Sequence, residues 1–360
     1  MTNNSSVIDS RDAIKKVDPQ NVLGSVEALA DQLEHAWQDT QKLQIKLSRK
    51  PQNIVVAAMG GSGLGPDVIK HLFKEEIQVP LEIVNDYTLP GYVDHNSLVV
   101  LASYSGTTEE VINCIQQAQE KKAQLLIVAA GGKLAEFARE NQVPAYIINA
   151  KHNPSNQPRM AIGYAIVGMI GLLNQAGVIK VTEDEIKVAI QAITAKAQEC
   201  TVEIQADENP AKTLAFTLVD KRPYLVASEF LMGAVHAASN QINENSKVFS
   251  LHLQVPEINH HLLESLEYPR SNKHDCIFLF FNSKFYLERN QLRMKLTQEA
   301  VERQGCETLA INLSSSSKIA QVFELISLMA FTNTYLAILY NVDPSQIPIV
   351  DWFKQELAKA

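Results

Sequence analysis

The feature that most constrains this chain is a series of short, unbroken apolar runs, several of which end in a turn of glycine or hydroxyl residues. In the first half they lie at 53–59, 80–85, 97–102, 124–129 and 144–149. Continuous rather than alternating apolarity marks strands buried on both faces. Segments of helical period separate them, notably Gly65–Glu76, Glu109–Lys121 and Lys133–Glu140. Such alternation implies right-handed crossovers and an open parallel sheet. The second half repeats the pattern, with strands predicted at Tyr224–Ser228, Val248–Gln254, Cys276–Phe281 and Thr308–Leu313. Helices are predicted there at Glu229–Gln241, Leu287–Arg303 and Ser317–Tyr340. The expected fold class is α/β, with two similar halves, each a parallel sheet flanked by helices.

A chain of 360 residues suits two domains of ordinary size. The expected division is a helical extension over 1–48, a first domain over 49–180 and a second over 181–360. Residues 9–48 carry apolar side chains at helical spacing (Val26, Leu29, Leu33, Ala36, Trp37) and read as a pair of amphipathic helices on the sheet or on another subunit. Met160–Val178 reads as an almost wholly apolar helix, with Gly163, Gly168 and Gly171 allowing close approach, and Thr182–Ala206 as an amphipathic divider. A net charge of −8 argues against a general nucleic-acid or anionic-membrane binder. Cys114, Cys200, Cys276 and Cys306 stand far apart without ligand spacing, so no metal site is expected. No basic segment followed by an apolar one opens the sequence, and the longest apolar stretch, read as Ala161–Leu173, is interrupted by glycines and too short to span a bilayer. The expectation is a cytoplasmic protein.

Two turns carry the chemistry of binding. Met59-Gly60-Gly61-Ser62-Gly63-Leu64-Gly65 follows the first run, and Ser103-Tyr104-Ser105-Gly106-Thr107-Thr108-Glu109-Glu110 follows the third. Each leads into a helix, whose start offers free N–H groups and the positive end of the macrodipole. Both could converge on one phosphate. The first turn also approaches a dinucleotide fingerprint, with Asp86 near the place of a ribose-binding acid. Ser105 or Gly106 could simply cap the second helix, but three hydroxyls (Ser103, Ser105, Thr108) exceed what a cap needs.

Three later segments suggest a reaction. Arg159 closes the polar loop Lys151–Arg159 at the edge of the apolar helix, where it must meet an anion or a polar oxygen. Asn240-Gln241-Ile242-Asn243-Glu244-Asn245-Ser246-Lys247 surrounds one carboxylate with amides, and Asn243 and Asn245 are expected to orient Glu244 as a general base. Pro256-Glu257-Ile258-Asn259-His260-His261 follows; adjacent histidines rarely share one metal ion.

G-G-S-G after one strand and S-x-S-G-x-T-x-E after a later one resemble the sugar isomerase (SIS) domain, and two such domains in tandem resemble the phosphoglucose isomerase superfamily. P-R-x-A, N-E-N-[AS]-K and P-E-x-N-H, in that order, resemble its bifunctional phosphoglucose/phosphomannose isomerase branch. The resemblance implies that Gly60, Gly61, Ser62, Ser103, Ser105 and Thr108 hold a sugar phosphate. It implies Glu244 as the base, Arg159 as the group facing the enediolate, and His260 as a ring-opening group supplied by the other subunit of a homodimer. Lys354 would be the C-terminal lysine, with Lys359 as a rival, as His261 is to His260. The implied reaction interconverts glucose 6-phosphate, and mannose 6-phosphate with it, with fructose 6-phosphate, without metal or cofactor. A non-catalytic SIS-domain sugar-phosphate regulator is the alternative, and a glucosamine-phosphate isomerising enzyme is a third reading. Two departures stand out: Thr107 replaces the usual Asn or Asp, and the helix before Glu244 (Gly233–Ser239) has no arginine. The chemistry makes no evident demand on the N-terminal extension.

Overall fold

A computed structural model of the chain describes residues 5–359. The first four residues, part of the opening read above as lacking a leader and of the 1–48 extension, lie outside them, as does residue 360. The first sheet holds β1 (Asn53–Ala58), β2 (Leu81–Val84), β3 (Ser97–Ser103), β4 (Gln124–Ala129) and β5 (Ala145–Ile147) in the order β2-β1-β3-β4-β5. The second holds β6 (Arg222–Ser228), β7 (Leu251–Val255), β8 (Cys276–Asn282) and β9 (Glu307–Asn312) in the order β7-β6-β8-β9. Every strand pair is parallel. The α/β expectation, with helices flanking two sheets, describes what is seen.

Register places the two candidate turns. Ala58 of β1 lies opposite Ala102 of β3, so the segments after both strands leave the sheet side by side. These strands are also where the chain order reverses across the sheet, the usual ligand crevice of an open α/β fold. The helix after β1, Gly61–Leu72, packs on helix Ile162–Gln175 and is crossed by helix Met232–Gln241 of the second half. A Cβ on Gly233 would overlap the backbone of Val68, so only glycine permits that crossing. One apolar core runs through both halves, from Ile8 to Ile338.

Two expectations need correction. The N-terminal segment forms three helices beyond the turn Ser5–Ile8, namely Arg11–Val17, Val22–Glu27 and Leu29–Thr40. The break follows from Asp18, whose carboxylate accepts from the N–H groups of Val22 and Leu23 (both 2.8 Å), and from Asn21 in the left-handed region. The last of these helices packs on helix Ile162–Gln175 rather than on the sheet, with Gly163 against Gln32. The apolar stretch of membrane length was also missed. Among the described residues it is Lys318–Leu339, and 94% of its most apolar window is buried inside the protein. It is a core helix packed on helix Glu183–Cys200.

Candidate active site

The turn after β3 is a ring of hydroxyls. Ser103 Oγ lies 2.7 Å from Thr108 Oγ1 and 3.4 Å from Ser105 Oγ, and accepts from the Gly106 N–H at 3.1 Å. Gly106 has φ +69°, and any side chain there would strike the Gly131 carbonyl. Neither Ser105 nor Gly106 caps the following helix. Thr108 is the N-cap residue of Glu109–Glu120, and its hydroxyl turns to Ser103 instead of to the helix. The first-turn N–H groups of that helix therefore have no side-chain cap, the condition an incoming anion needs. Gly60 precedes helix Gly61–Leu72 with φ +49°, and this helix start is likewise without a side-chain cap. Ser62 Oγ accepts from the Tyr104 N–H at 2.8 Å and ties the two turns together. Asp86, the acid of the dinucleotide alternative, accepts from its neighbour's N–H, that of Tyr87, at 2.6 Å.

Arg159 lies beside these turns: a Cβ on Gly61 would stand 3.3 Å from the Arg159 backbone N and Cα. Its side chain is 2% exposed. Nε donates to Asn245 Oδ1 (2.5 Å), Nη1 to Gln157 Oε1 (3.1 Å), and Nη2 to the carbonyls of Pro344 (2.7 Å) and Ser345 (3.0 Å). The remaining partner is the Glu244 carboxylate, 3.4 Å from Nη1. Burial pushes the Arg159 pKa down against the pull of Glu244. Glu244 is also shifted by burial, upward from the ordinary carboxylate value, while Arg159, Lys354 and Lys247 pull it back. A half-buried carboxylate with a raised pKa beside one arginine is suited to taking and returning a proton.

Glu244 projects from a π-helical turn, Ile242–Ser246, that ends helix Met232–Gln241. Wider turns of this kind recur at functional sites because they redirect side chains from the helical register. The flanking amides do not touch the carboxylate, contrary to expectation. Asn243 exchanges two hydrogen bonds with the Ser250 backbone (3.0 and 2.8 Å), and Asn245 joins Arg159 to Asn333 Oδ1 (2.8 Å). They fix the backbone of the turn because their side chains point away along it. Lys247, at φ +59°, donates to the Glu244 carbonyl at 2.6 Å and closes the turn; burial pushes its pKa down to about 8.

Lys354 lies on the exposed helix Pro348–Leu357, close enough for its charge to act on Glu244, whereas Lys359 pairs with Glu356 at 2.7 Å. His260 is not brought to Glu244 within the chain. Asn243 and Ser250 anchor the base at the amino-terminal end of β7, while His260 follows its carboxyl-terminal end. The five residues of β7 put about 16 Å between those ends. His260 and His261 are both exposed; His261 stands 4.0 Å from Glu257. Thr332 and Thr334 bond back to carbonyls of their own helix, and Ser345 contributes its carbonyl, not its hydroxyl, to Arg159. Sequence reasoning missed Gln241, which donates to the Arg159 carbonyl at 3.0 Å, and Asn333. Asn333 is an amide inside an apolar helix, and that misfit was the available signal; Gln241 ends its helix within the amide run read above.

Comparison with known proteins bears on the fold and the family. Residues 46–174 match the SIS domain family, and residues 207–357 match the family described as the bacterial phospho-glucose isomerase C-terminal SIS domain. A bifunctional phosphoglucose/phosphomannose isomerase of Caldicellulosiruptor bescii is 28% identical over 341 residues, covering 93% of this chain and 98% of that one. The protein of the same name from Aquifex aeolicus is 27% identical over 341 residues, covering 94% and 99%. The crystal structure of a hypothetical protein from Thermus thermophilus shares the fold, with a TM-score of 0.75 at 15% identity, covering 98% of this chain and 93% of that one.

Proposed function

We propose a reaction for a chain that belongs to the bifunctional phosphoglucose/phosphomannose isomerase family: interconversion of glucose 6-phosphate, and of mannose 6-phosphate, with fructose 6-phosphate. The observation that carries the proposal is the Arg159–Glu244 pair, 3.4 Å apart, standing beside a hydroxyl-lined anion cradle. Ser62, Ser103, Ser105 and Thr108, with the backbone at Gly60 and Gly61, hold the phosphate. Its binding energy fixes the far end of the sugar against Glu244. The Glu244 carboxylate takes the C2 proton, charge develops on the C1 oxygen, and the same carboxylate returns the proton to C1. Arg159 faces the developing charge, where fixed positive charge acts strongly because water is excluded. Glucose and mannose 6-phosphates differ only at C2 and lose that difference in a planar enediolate, so one base serves both.

Ring opening needs a further acid–base pair, for which Lys354 and His260 are the candidates. Because β7 separates His260 from Glu244, the reading requires a second copy of the chain to bring its histidine in. Ile349, Trp352 and Phe353 lie exposed on the helix that carries Lys354, an apolar surface a second copy could cover. The proposed setting is the cytoplasm. A coupled spectrophotometric assay of fructose 6-phosphate formation from each aldose tests the reaction. Absence of turnover in the wild type would favour a sugar-phosphate-binding regulator. Mixing inactive Glu244→Gln and His260→Ala chains tests the shared site: restored activity is expected, and none would sink it.

A further inference from the structure

We infer that Gln32, in the N-terminal helix Leu29–Thr40, is a positioning residue for Arg159; this rests on the isomerase reading above. Gln32 is fully buried. Its Nε2 faces the carbonyls of Ser25 (3.2 Å), His152 (3.1 Å) and Met160 (3.0 Å), and its Oε1 accepts from the Gly163 N–H at 3.2 Å. Met160 and Gly163 stand one and four residues after Arg159, and His152 lies near the start of the loop that leads to it. One side chain therefore clamps both ends of the segment that aims the arginine. The fit is built for it: a Cβ on Gly163 would stand 2.7 Å from the Gln32 Cβ.

Neighbouring contacts repeat the arrangement. Ser25 Oγ lies 2.8 Å from Ser155 Oγ and accepts from the Ser155 N–H at 3.0 Å, and Gln20 meets Gln157, itself a partner of Arg159. From the opposite side Gln241 holds the Arg159 carbonyl. The arginine backbone is thus gripped between the N-terminal helices and the helix that ends at Glu244. The extension that the chemistry made no demand on sets the distance between the two groups that perform it. An apolar side chain at 32 would leave buried carbonyls and an N–H unpaired, and the segment would move to satisfy them.

The test is a double-mutant cycle in the full chain, using Gln32→Met, which keeps the volume, and Arg159→Lys. Gln32→Met is expected to lower kcat by about 10- to 100-fold with KM within about threefold, since the phosphate turns are untouched. In the Arg159→Lys background the same change should cost little. Losses that multiply would overturn the inference, because a merely structural role slows both backgrounds alike. Hydrogen exchange supplies a readout independent of activity: amides 151–163 should lose protection in Gln32→Met while helix Lys318–Leu339 keeps its own. Unchanged or uniformly lowered protection would count against the clamp. If the wild type lacks turnover, the isomerase reading fails and exchange alone judges the clamp. If Gln32→Met does not fold, Ser25→Ala carries the same cycle with a smaller expected loss.

Discussion

The two halves share a strand order at the centre of their sheets, yet the crevice it creates is used in opposite ways. In the first half the segments after β1 and β3 border a small cavity lined by Gly61, Ser62, Ser103 and Tyr104, and the Tyr104 N–H joins them by donating to Ser62 Oγ. In the second, Tyr286 plugs the corresponding crevice between β6 and β8, and the cavity of about 410 Å³ that it borders opens instead between the segments after β8 and β9. Tyr286 lies in the crevice, buried, its hydroxyl donating to the Phe281 carbonyl (3.0 Å) and accepting from the Ser228 N–H (3.1 Å). Glu229, at φ +48°, accepts from the Leu287 N–H (2.9 Å) and Asn290 Nδ2 (2.7 Å), so a resident carboxylate occupies the start of helix Glu288–Arg303. In the proposed reaction the second half works from the other end of its sheet, where Glu244 sits. Topology makes a ligand crevice available; side chains decide whether it stays open.

If one half binds and the other reacts, substitutions in each should move different kinetic constants. The largest effect expected is that of Glu244→Gln, a loss in kcat on the order of 10²–10⁴ with KM little changed. Ser105→Ala should act mainly on KM, raising it by about tenfold, because its hydroxyl is assigned to the phosphate. A fall in kcat alone for Ser105→Ala, or near-full turnover for Glu244→Gln, would break the division of labour.

A smaller effect follows from the environment of the base. Burial raises the Glu244 pKa, and the base works only when ionised. The acid limb of kcat/KM should therefore lie above the ordinary carboxylate value, with activity falling as pH drops through it. Removing one of the opposing cations with Lys354→Gln should move that limb upward by a few tenths of a unit, roughly what an exposed charge contributes. A limb at the ordinary value, or one that moves down in the variant, would contradict the assignment.

The fold was legible because unbroken apolar strands and punctuating glycines act locally. The hydroxyl cluster of the candidate binding turn was legible for the same reason: Ser103, Ser105 and Thr108 lie within six residues and meet within one turn. Arg159 and Glu244 could be named from their neighbours, but not their 3.4 Å separation, which depends on packing between distant segments. The roles of Asn243 and Asn245 were misjudged because side-chain direction in a π-helical turn is not written in residue spacing. Gln32 was invisible: it sits in an amphipathic helix where a glutamine looks like a solvent-facing residue, and only the tertiary approach at Gly163 reveals its burial.

The sharpest test of the comparison is also the one expected to change activity least. Glu229→Ala removes the carboxylate that fills the second crevice and leaves the Leu287 N–H without its partner. It should cost roughly 1–3 kcal/mol of stability, read as a lower midpoint in urea unfolding. Turnover should stay within about twofold of wild type, since Glu229 follows the carboxyl end of β6 while Glu244 lies beyond the amino ends of the same sheet. Calorimetric titration with glucose 6-phosphate should still give one site per chain, because Tyr286 continues to block the crevice. Two sites per chain would mean that the carboxylate alone had been keeping a second cradle closed, and the difference between the halves would reduce to a single residue.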